Sequence, residues 1–368
     1  MPLSLSYSLA DQEFARTKSI GIWNVSRQLP QHLAAHPGIG RLTVFSNRTH
    51  ADLEWPEQVV RLNYDRARGG RFGRLFWDQW GVYSAARQSG NPWLFLPKGY
   101  ASFLRRCPVR LAAFVHDAMH DYYRRTCRPN PLGREAVYFL RSLRATVRQA
   151  DVIFTNSDFT ATEVKRLASE WRLAVPRICT AGIGFAVPPP RASESRARVL
   201  VLTGALPHKC TRLAMEYLTR WARGRTDLAG VDWVGGFPAG LSLPELPGWQ
   251  RHLRLAEAEY DRILRCARVV VYFSAYEGFG MPPIEATLAG AAAVYSSIPP
   301  MLEVMGPCGF AFANDSYEDF AAAMQQAMAA SADQLARWRA DLSRRHSWEQ
   351  VAGRIIRELD AVERSRRP

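Results

Sequence analysis

Two glutamates eight residues apart, Glu277 and Glu285, bracket a turn of sequence Gly278-Phe279-Gly280-Met281-Pro282-Pro283-Ile284. A carboxylate offers two oxygens and several lone pairs, so it is a natural acceptor for paired hydroxyls. Glu277, on the loop, is placed to accept from hydroxyls of a bound sugar. Glu285, in the first turns of a helix, is placed to accept from two neighbouring ribose hydroxyls. Gly278 and Gly280 let the backbone approach a ligand with no Cβ in the way. The prolines suit the opening of a helix, where a missing N–H costs nothing. A helix over 283–289 would then aim its free N–H groups at a phosphate.

Such a turn needs a strand to deliver it, and the apolar run 269–273 supplies one. Short β-branched or apolar runs recur at 42–46, 93–96, 110–115, 152–155, 177–179, 199–203 and 231–234. Helical patterns lie between many of them, as at 134–148 and 161–171. Strands alternating with helices indicate βαβ units and parallel sheets. The Pro- and Ser-rich stretch 187–197 breaks this rhythm and reads as a linker between domains 1–186 and 198–349. Two Rossmann-like halves would place a ligand in a cleft, at the carboxyl ends of their strands. The chain closes with a long helical pattern from about Asp315, broken near Ser347.

The 368 residues suit two cores better than one. Hydrophobic content of 47% and charged content of 22% argue against disorder. No apolar run reaches the roughly 18–20 residues of a membrane span, and residues 1–18 lack the basic start and apolar stretch of a signal peptide. The six scattered cysteines have no metal-ligand spacing and are expected to be reduced thiols in a cytoplasmic protein. A net charge of +14 favours anionic partners. Zinc-finger spacing, an RNP-like aromatic motif and a helix-turn-helix are all missing, so nucleic acid is the weaker partner, supported by charge alone. No D-x-D triplet occurs, so no metal bridging phosphates is expected.

The segment from Ser274 to Ala286 resembles the S-x-x-E-G-F-G-x-P-x-x-E-A pattern, with its E-x7-E core, of the retaining GT-B glycosyltransferases of family GT4. The similarity extends strongly over 198–360 and loosely over 100–185. It implies an α/β GT-B fold: two Rossmann-like domains facing each other across a cleft, with a C-terminal helix, about 350–368, returning to the first. The second domain would bind the nucleotide sugar and the first the acceptor. Gly204-Ala-Leu-Pro-His208-Lys209 resembles the family's glycine-to-cation loop, where Lys209 would meet the donor diphosphate. His208 stands where many relatives carry Arg, and a neutral imidazole would contribute less charge there. Phe114-Val115-His116-Asp117 resembles the family's H-D element, so His116 would donate to a sugar hydroxyl near the transfer point. Gly21, in the stretch Thr17–Ile22, is the expected glycine turn of the first domain. Gly38-Ile39-Gly40-Arg41 has similar letters but precedes the strand 42–46. A full G-x-G-x-x-G is absent, which disfavours a nicotinamide-binding enzyme.

The resemblance implies transfer of a hexose from a nucleoside diphosphate sugar, GDP-mannose first, with retention and with neither cofactor nor metal. Catalysis would fall to His116 and Glu277. Donor binding would fall to Gly21, Gly204, His208, Lys209, Gly278, Phe279, Gly280 and Glu285. A lipid-linked or oligosaccharide acceptor in surface polysaccharide or lipopolysaccharide assembly is expected. Trp77, Trp80, Tyr100, Phe103, Arg105 and Arg106 would then lie on the anionic inner face of the cell membrane. Alternatives are a UDP- or dTDP-sugar with a small soluble acceptor, a GT-B epimerase or phosphorylase, or a basic nucleic-acid-binding protein.

Overall fold

The computed structural model describes residues 2–14, 19–68, 70–189, 198–253 and 255–365. The chain divides into two compact units, one formed by Met1–Gly184 with His346–Pro368, the other by Phe185–Arg345. The expected linker 187–197 lies, from residue 190 onward, outside the described residues, as do Thr17 and Lys18.

The first unit runs β1 (Leu3–Ser8), α1 (Ile20–Ala35), β2 (Ile39–Ser46), β3 (Val59–Asn63), α2 (Gly70–Phe76), α3 (Val82–Ser89), β4 (Trp93–Leu96), β5 (Arg110–Val115), α4 (Met119–Thr126), α5 (Gly133–Gln149), β6 (Val152–Thr155), α6 (Asp158–Glu170) and β7 (Ile178–Thr180). The strands form one sheet in the order β3-β2-β1-β4-β5-β6-β7, parallel throughout. Helices cover both faces of such a sheet, so its strands become continuous buried runs. Tyr7, Phe95 and Phe154 stack across β1, β4 and β6. Strand β1 was not expected from its sequence, because serines alternate through it. Ser6 and Ser8 are nonetheless buried, satisfied by Ser89 and Asn91 on one side and by Trp77 Nε1 on the other.

Two expectations are corrected here. Gly21 is not in a loop: α1 begins at Ile20, so Gly21 sits in its first turn. Trp23, Ser26, Leu29, Pro30 and Leu33 are buried at helical spacing, and that burial outweighs the ~1 kcal/mol helix cost of a glycine. The strand expected from 42 begins at Ile39, which places Gly38 and Gly40 at packing contacts. A Cβ at Gly38 would stand 2.6 Å from Ile356, and one at Gly40 would stand 2.9 Å from Pro2.

The aromatic residues expected at a membrane are also differently placed. Trp77 is buried, and Tyr100 and Phe103 pack against the core. Phe72, Leu75, Phe76, Leu104 and Val137 are among the exposed apolar side chains of this unit, with Phe76 stacked on Trp80 at 5.9 Å. Among the described residues no helix is long and apolar enough to cross a membrane.

The second unit runs β8 (Arg198–Thr203), α7 (Thr211–Ala222), β9 (Gly230–Gly235), β10 (Trp249–His252), α8 (Glu257–Cys266), β11 (Ala267–Tyr272), α9 (Met281–Leu288), β12 (Ala292–Ser296), α10 (Pro299–Met305), β13 (Phe310–Phe312), α11 (Tyr317–Ala329) and α12 (Ala332–Arg345). Its parallel sheet has the order β10-β9-β8-β11-β12-β13. Val199, Val201, Trp233, Val271, Phe273 and Phe320 lie in one core cluster, each burial contributing roughly 1.5–3 kcal/mol. The break expected near Ser347 is a helix start: Ser347 Oγ accepts from Gln350 N at 3.3 Å and caps α13 (Trp348–Arg364). This last helix belongs to the first unit, where it packs on α1, β1, β6 and β7.

Candidate active site

In the second sheet β8 and β11 are neighbours, and the strand order reverses between them. Open α/β sheets bind ligands outside the carboxyl ends of strands at such a point. Gly204 to Lys209 follow β8, and Phe273 to Gly280 follow β11, so both sequence motifs reach the same place.

Lys209 and Glu277 meet there. Lys209 Nζ donates to Glu277 Oε1 at 2.7 Å. The Tyr272 hydroxyl accepts from Lys209 Nζ and donates to the same Oε1 at 2.7 Å. The Ser274 hydroxyl lies 2.9 Å from that oxygen as well. Three donors thus converge on Oε1, while Oε2 carries no hydrogen bond among the described residues. Burial alone would push the Glu277 carboxyl up, but Lys209, with the Tyr272 hydroxyl, holds it below the usual carboxylate range. Burial likewise opposes the Lys209 charge, yet Glu277 and Tyr272 hold its ammonium above the usual value. Both groups are therefore ionised at neutral pH.

The loop carrying Lys209 is stitched to the loop carrying Glu277. The His208 carbonyl accepts from Ala275 N at 2.7 Å, and Thr211 Oγ1 donates to the Gly204 carbonyl at 2.7 Å. The His208 imidazole is buried, and burial, then the neighbouring Lys209, lowers its pKa to about 4. The ring adds no charge at neutral pH, so His208 contributes through its backbone. On the far side, Ser274 N donates to Ser296 Oγ at 2.9 Å, Ser296 Oγ donates to Asn314 Oδ1 at 2.6 Å, and Asn314 Nδ2 donates to Ser274 O at 2.9 Å. This closed ring fixes the exit of β11.

Gly280 is the N-cap of α9, with φ of +98°. A Cβ there would stand 2.7 Å from Met301 Cγ, so conformation and space both require glycine. The helix opens at Met281, two residues before the expected start. Pro282 and Pro283 consequently occupy its second and third positions and remove two of the N–H groups expected to meet a phosphate. The Gly280 and Met281 amides remain at the start of the helix. Phe279 is buried and stacks on Phe185 at 6.2 Å, which leaves its backbone and that of Gly278 to line the turn. Glu285, in the second turn of α9, accepts from the Tyr260 hydroxyl at 3.4 Å. Burial pushes its carboxyl up to about 7.

His116 lies in the first unit, at the end of β5. Its Nε2 is 2.6 Å from the Pro97 carbonyl, which can only accept, so Nε2 carries the proton. Burial lowers the imidazole to about 4, against the raising effect of that bond. In the neutral ring Nδ1 is then an acceptor. The expected donation from His116 to a sugar hydroxyl is corrected accordingly: with Nε2 committed to Pro97, the ring has no second N–H to donate. Its carbonyl is held by Asn156 Nδ2 at 2.8 Å.

Sequence reasoning missed Tyr272, which joins Lys209 to Glu277, and the Ser296–Asn314 brace. A tyrosine directly after the aliphatic run Val269–Val271 was the available signal, since a buried phenol needs a partner.

Residues 251–343 match the family model of glycosyl transferases group 1. That segment contains both Glu277 and Glu285. No curated protein matches the chain. Among solved structures, it is similar to sucrose-phosphate synthase from Thermosynechococcus elongatus, at 16% identity and a TM-score of 0.70 over 98% of this chain and 99% of that one. It is also similar to HepE from Anabaena, in complex with UDP and glucose, at 15% identity and a TM-score of 0.65 over 98% and 100%. A third similarity is to an α,α-trehalose-phosphate synthase (UDP-forming) from Burkholderia vietnamiensis, at 11% identity and a TM-score of 0.60 over 98% and 100%. The fold is that of the GT-B glycosyltransferases, and the part of the second unit from 251 to 343 is what matches the group 1 model.

Proposed function

We propose that this protein is a retaining glycosyltransferase that moves a hexose from a nucleoside diphosphate sugar to a saccharide or lipid-linked acceptor in surface polysaccharide or lipopolysaccharide assembly. The observation that carries the reading is the Lys209–Tyr272–Glu277 triangle at the switch point of the second sheet, with Tyr272 and Glu277 inside the segment that matches the group 1 model.

Transfer breaks the bond between the anomeric carbon and the diphosphate oxygen, and negative charge grows on the diphosphate. Lys209, with the Gly280 and Met281 amides, would stabilise that charge; loss of one such group costs about 3–4 kcal/mol in comparable sites. The acceptor oxygen then bonds to the anomeric carbon from the same face, and its proton passes to the departing phosphate. Glu277 would orient the sugar through Oε2, since Oε1 is saturated. This role differs from that of glycosidase carboxylates, which flank the scissile bond as acid and nucleophile. Glu285 would bind the ribose. Because Lys209 supplies the counter-charge, the reading is metal-independent.

For the donor, the family resemblance favours GDP-mannose. A UDP-sugar is the second reading, supported by the similarity to HepE, whose structures hold UDP, glucose and UDP-glucose. A lipid-linked acceptor would bring the protein to the cytoplasmic face of an anionic membrane. Phe72, Leu75, Phe76, Leu104 and Val137 support that location, set among exposed Arg105, Arg106, Arg134 and Arg141. Their segments adjoin, because Gln79 hydrogen-bonds both Ser102 and Tyr138.

Calorimetry and hydrolysis across GDP-, UDP-, dTDP- and ADP-sugars test the proposal. One donor class should bind and be slowly hydrolysed; binding of none would sink the transferase reading.

A further inference from the structure

The first unit contains a cluster of buried charge that the donor chemistry does not use. Lys98 Nζ donates to Asp11 Oδ2 and to Asp78 Oδ1 at 3.3 Å. Asp11 follows β1, Lys98 follows β4, and Asp78 lies between α2 and α3. Their side chains are almost buried, at 1% exposure for Asp11, 10% for Asp78 and 14% for Lys98. The Tyr138 hydroxyl donates to Asp78 Oδ2 at 3.1 Å, and Arg74 approaches both carboxylates only to 3.9 Å. Burial pulls the Lys98 ammonium down to about 7, which marks the cost of its desolvation. Apolar side chains of similar volume fill such places at no greater cost, so packing does not account for the lysine. Its N–H donors do what an apolar chain cannot: they tie one turn to two separate segments.

That turn is Leu96–Gly99. Gly99 N donates to the Leu96 carbonyl at 3.2 Å, and the ring of Pro97 presets φ at the second position. Gly99 has φ of +73°, and a Cβ there would stand 2.6 Å from the Phe114 carbonyl, so the turn lies directly on β5. Thr146 Oγ1 donates to the Gly99 carbonyl at 2.8 Å and holds that end. Two residues beyond Phe114 is His116, whose Nε2 donates to the Pro97 carbonyl at 2.6 Å. The His116 backbone is held separately, its carbonyl accepting from Asn156 Nδ2 at 2.8 Å and Thr160 Oγ1 at 3.3 Å. Among the described residues the Pro97 carbonyl is the ring's only hydrogen-bond partner, so the set of the turn decides which ring nitrogen carries the proton.

We propose that Lys98 is a positioning residue for transfer: through Asp11 and Asp78 it holds the Pro97 carbonyl on His116 and keeps that ring protonated at Nε2, with Nδ1 as an acceptor. This rests on the transferase reading above and on His116 taking part in it. Without the Lys98 tether the turn stays anchored at Gly99 and loosens at Pro97. The ring then loses the acceptor that selects one tautomer, while the fold of the unit is kept.

The test uses the full-length chain carrying nitrogen-15 histidine, read by two-bond proton–nitrogen correlation, which tells which ring nitrogen is protonated. The His116 signal is assigned by its loss in His116→Gln. In the unaltered protein His116 should show the Nε2-protonated form alone at neutral pH. Lys98→Met with Asp11→Asn removes the ammonium and one carboxylate together and leaves Asp78 with Tyr138; circular dichroism checks its fold. An Nδ1-protonated population should appear in this variant. Its kcat for hydrolysis of the donor found in the screen above should fall about tenfold, short of the loss that an ångström of misplacement brings, and donor KM should change less. Lys98→Gln, which keeps a donor but cannot span both carboxylates, is the milder second variant and should show the same form in smaller share. Lys98→Arg should retain the single form and most of kcat. A lone Nε2-protonated form in both tether variants would overturn the proposal, as would a Lys98→Arg protein no better than they are. A mixed ring with undiminished hydrolysis would overturn it too, since Lys98 would then position a ring that transfer does not use. Absence of hydrolysis of every donor by the unaltered protein falls instead on the transferase reading, and the ring spectra still decide the hold on His116.

Discussion

The side chain of Lys209 crosses Gly204 so closely that a Cβ at residue 204 would stand 2.7 Å from Lys209 Cγ. The glycine of the loop is thus the floor on which its lysine lies, and the two positions act as one device. Gly204→Ala should displace the ammonium from Glu277 and the diphosphate. Misplacement on the ångström scale costs about 100-fold in rate, so transfer should fall by about that factor, as in Lys209→Ala. Steady-state kinetics of both variants and the double variant check this; additive losses would show that the two positions are independent.

Tyr272 serves both ends of the ion pair. Tyr272→Phe removes one donor from Glu277 and one acceptor from Lys209 without changing ring packing. A loss of about 1–2 kcal/mol in transition-state stabilisation, roughly 5- to 30-fold in kcat, is expected. Nucleotide affinity should change less than kcat, and the reverse pattern would remove Tyr272 from the sugar end of the site.

Glu285 titrates near neutrality, at about 7. Its ionised form is the better acceptor for ribose hydroxyls, so nucleoside diphosphate affinity should rise from pH 6 to pH 8. The phosphate also titrates in this range, which makes Glu285→Gln the control: it should flatten the part of the rise owed to the carboxylate. Parallel pH profiles for the two proteins would exclude Glu285 from the ribose site.

Burial holds His116, His120 and His208 each at about 4, against about 6.5 when unfolded. Above pH 6.5 these rings are neutral in both states and contribute no pH dependence. As pH falls from 6.5 toward 4 the unfolded chain takes up protons that the folded chain refuses, so stability is lost across that window. Thermal unfolding should show the melting temperature falling there, and His120→Phe, which keeps an aromatic ring beside Phe139, should shallow the slope.

The exposed apolar side chains of the first unit should anchor it to anionic vesicles. Flotation with phosphatidylglycerol liposomes at low salt should recover the protein, and Phe72→Ser with Phe76→Ser should abolish recovery. Equal recovery with neutral phosphatidylcholine would remove the role of the surrounding arginines.

The second unit was the more legible half of the sequence. Its strands are aliphatic runs, and Glu277, Gly280 and Glu285 lie on one contiguous turn, so the segment could be singled out by its residues and by the family pattern it resembles. The first unit hid more. Strand β1 carries serines whose partners, Ser89 and Asn91, are more than eighty residues away. Asp11, Asp78 and Lys98 come from three separate segments and form no pattern in the linear chain. The α1 start was concealed by Gly21, whose low helix propensity is overridden by burial of Trp23 and its neighbours. Side-chain direction was equally hidden: nothing in Phe114-Val-His116-Asp announces that Nε2 is spent on Pro97.

Helix α13 closes the first unit with residues made after the whole of the second. Its buried face, including Val351, Ile355, Ile356 and Leu359, covers strands and a helix formed from the first 180 residues. Trp348 packs against Gly184, where a Cβ would be 2.4 Å from its ring, and Trp93 Nε1 donates to Glu363 Oε1 at 2.9 Å. On the ribosome, the whole second unit emerges before this cover exists. At about 5–20 residues per second, the apolar seat of α13 stays bare for on the order of ten to forty seconds. Nascent chains of this protein should therefore engage a chaperone through the first unit, and release should await α13.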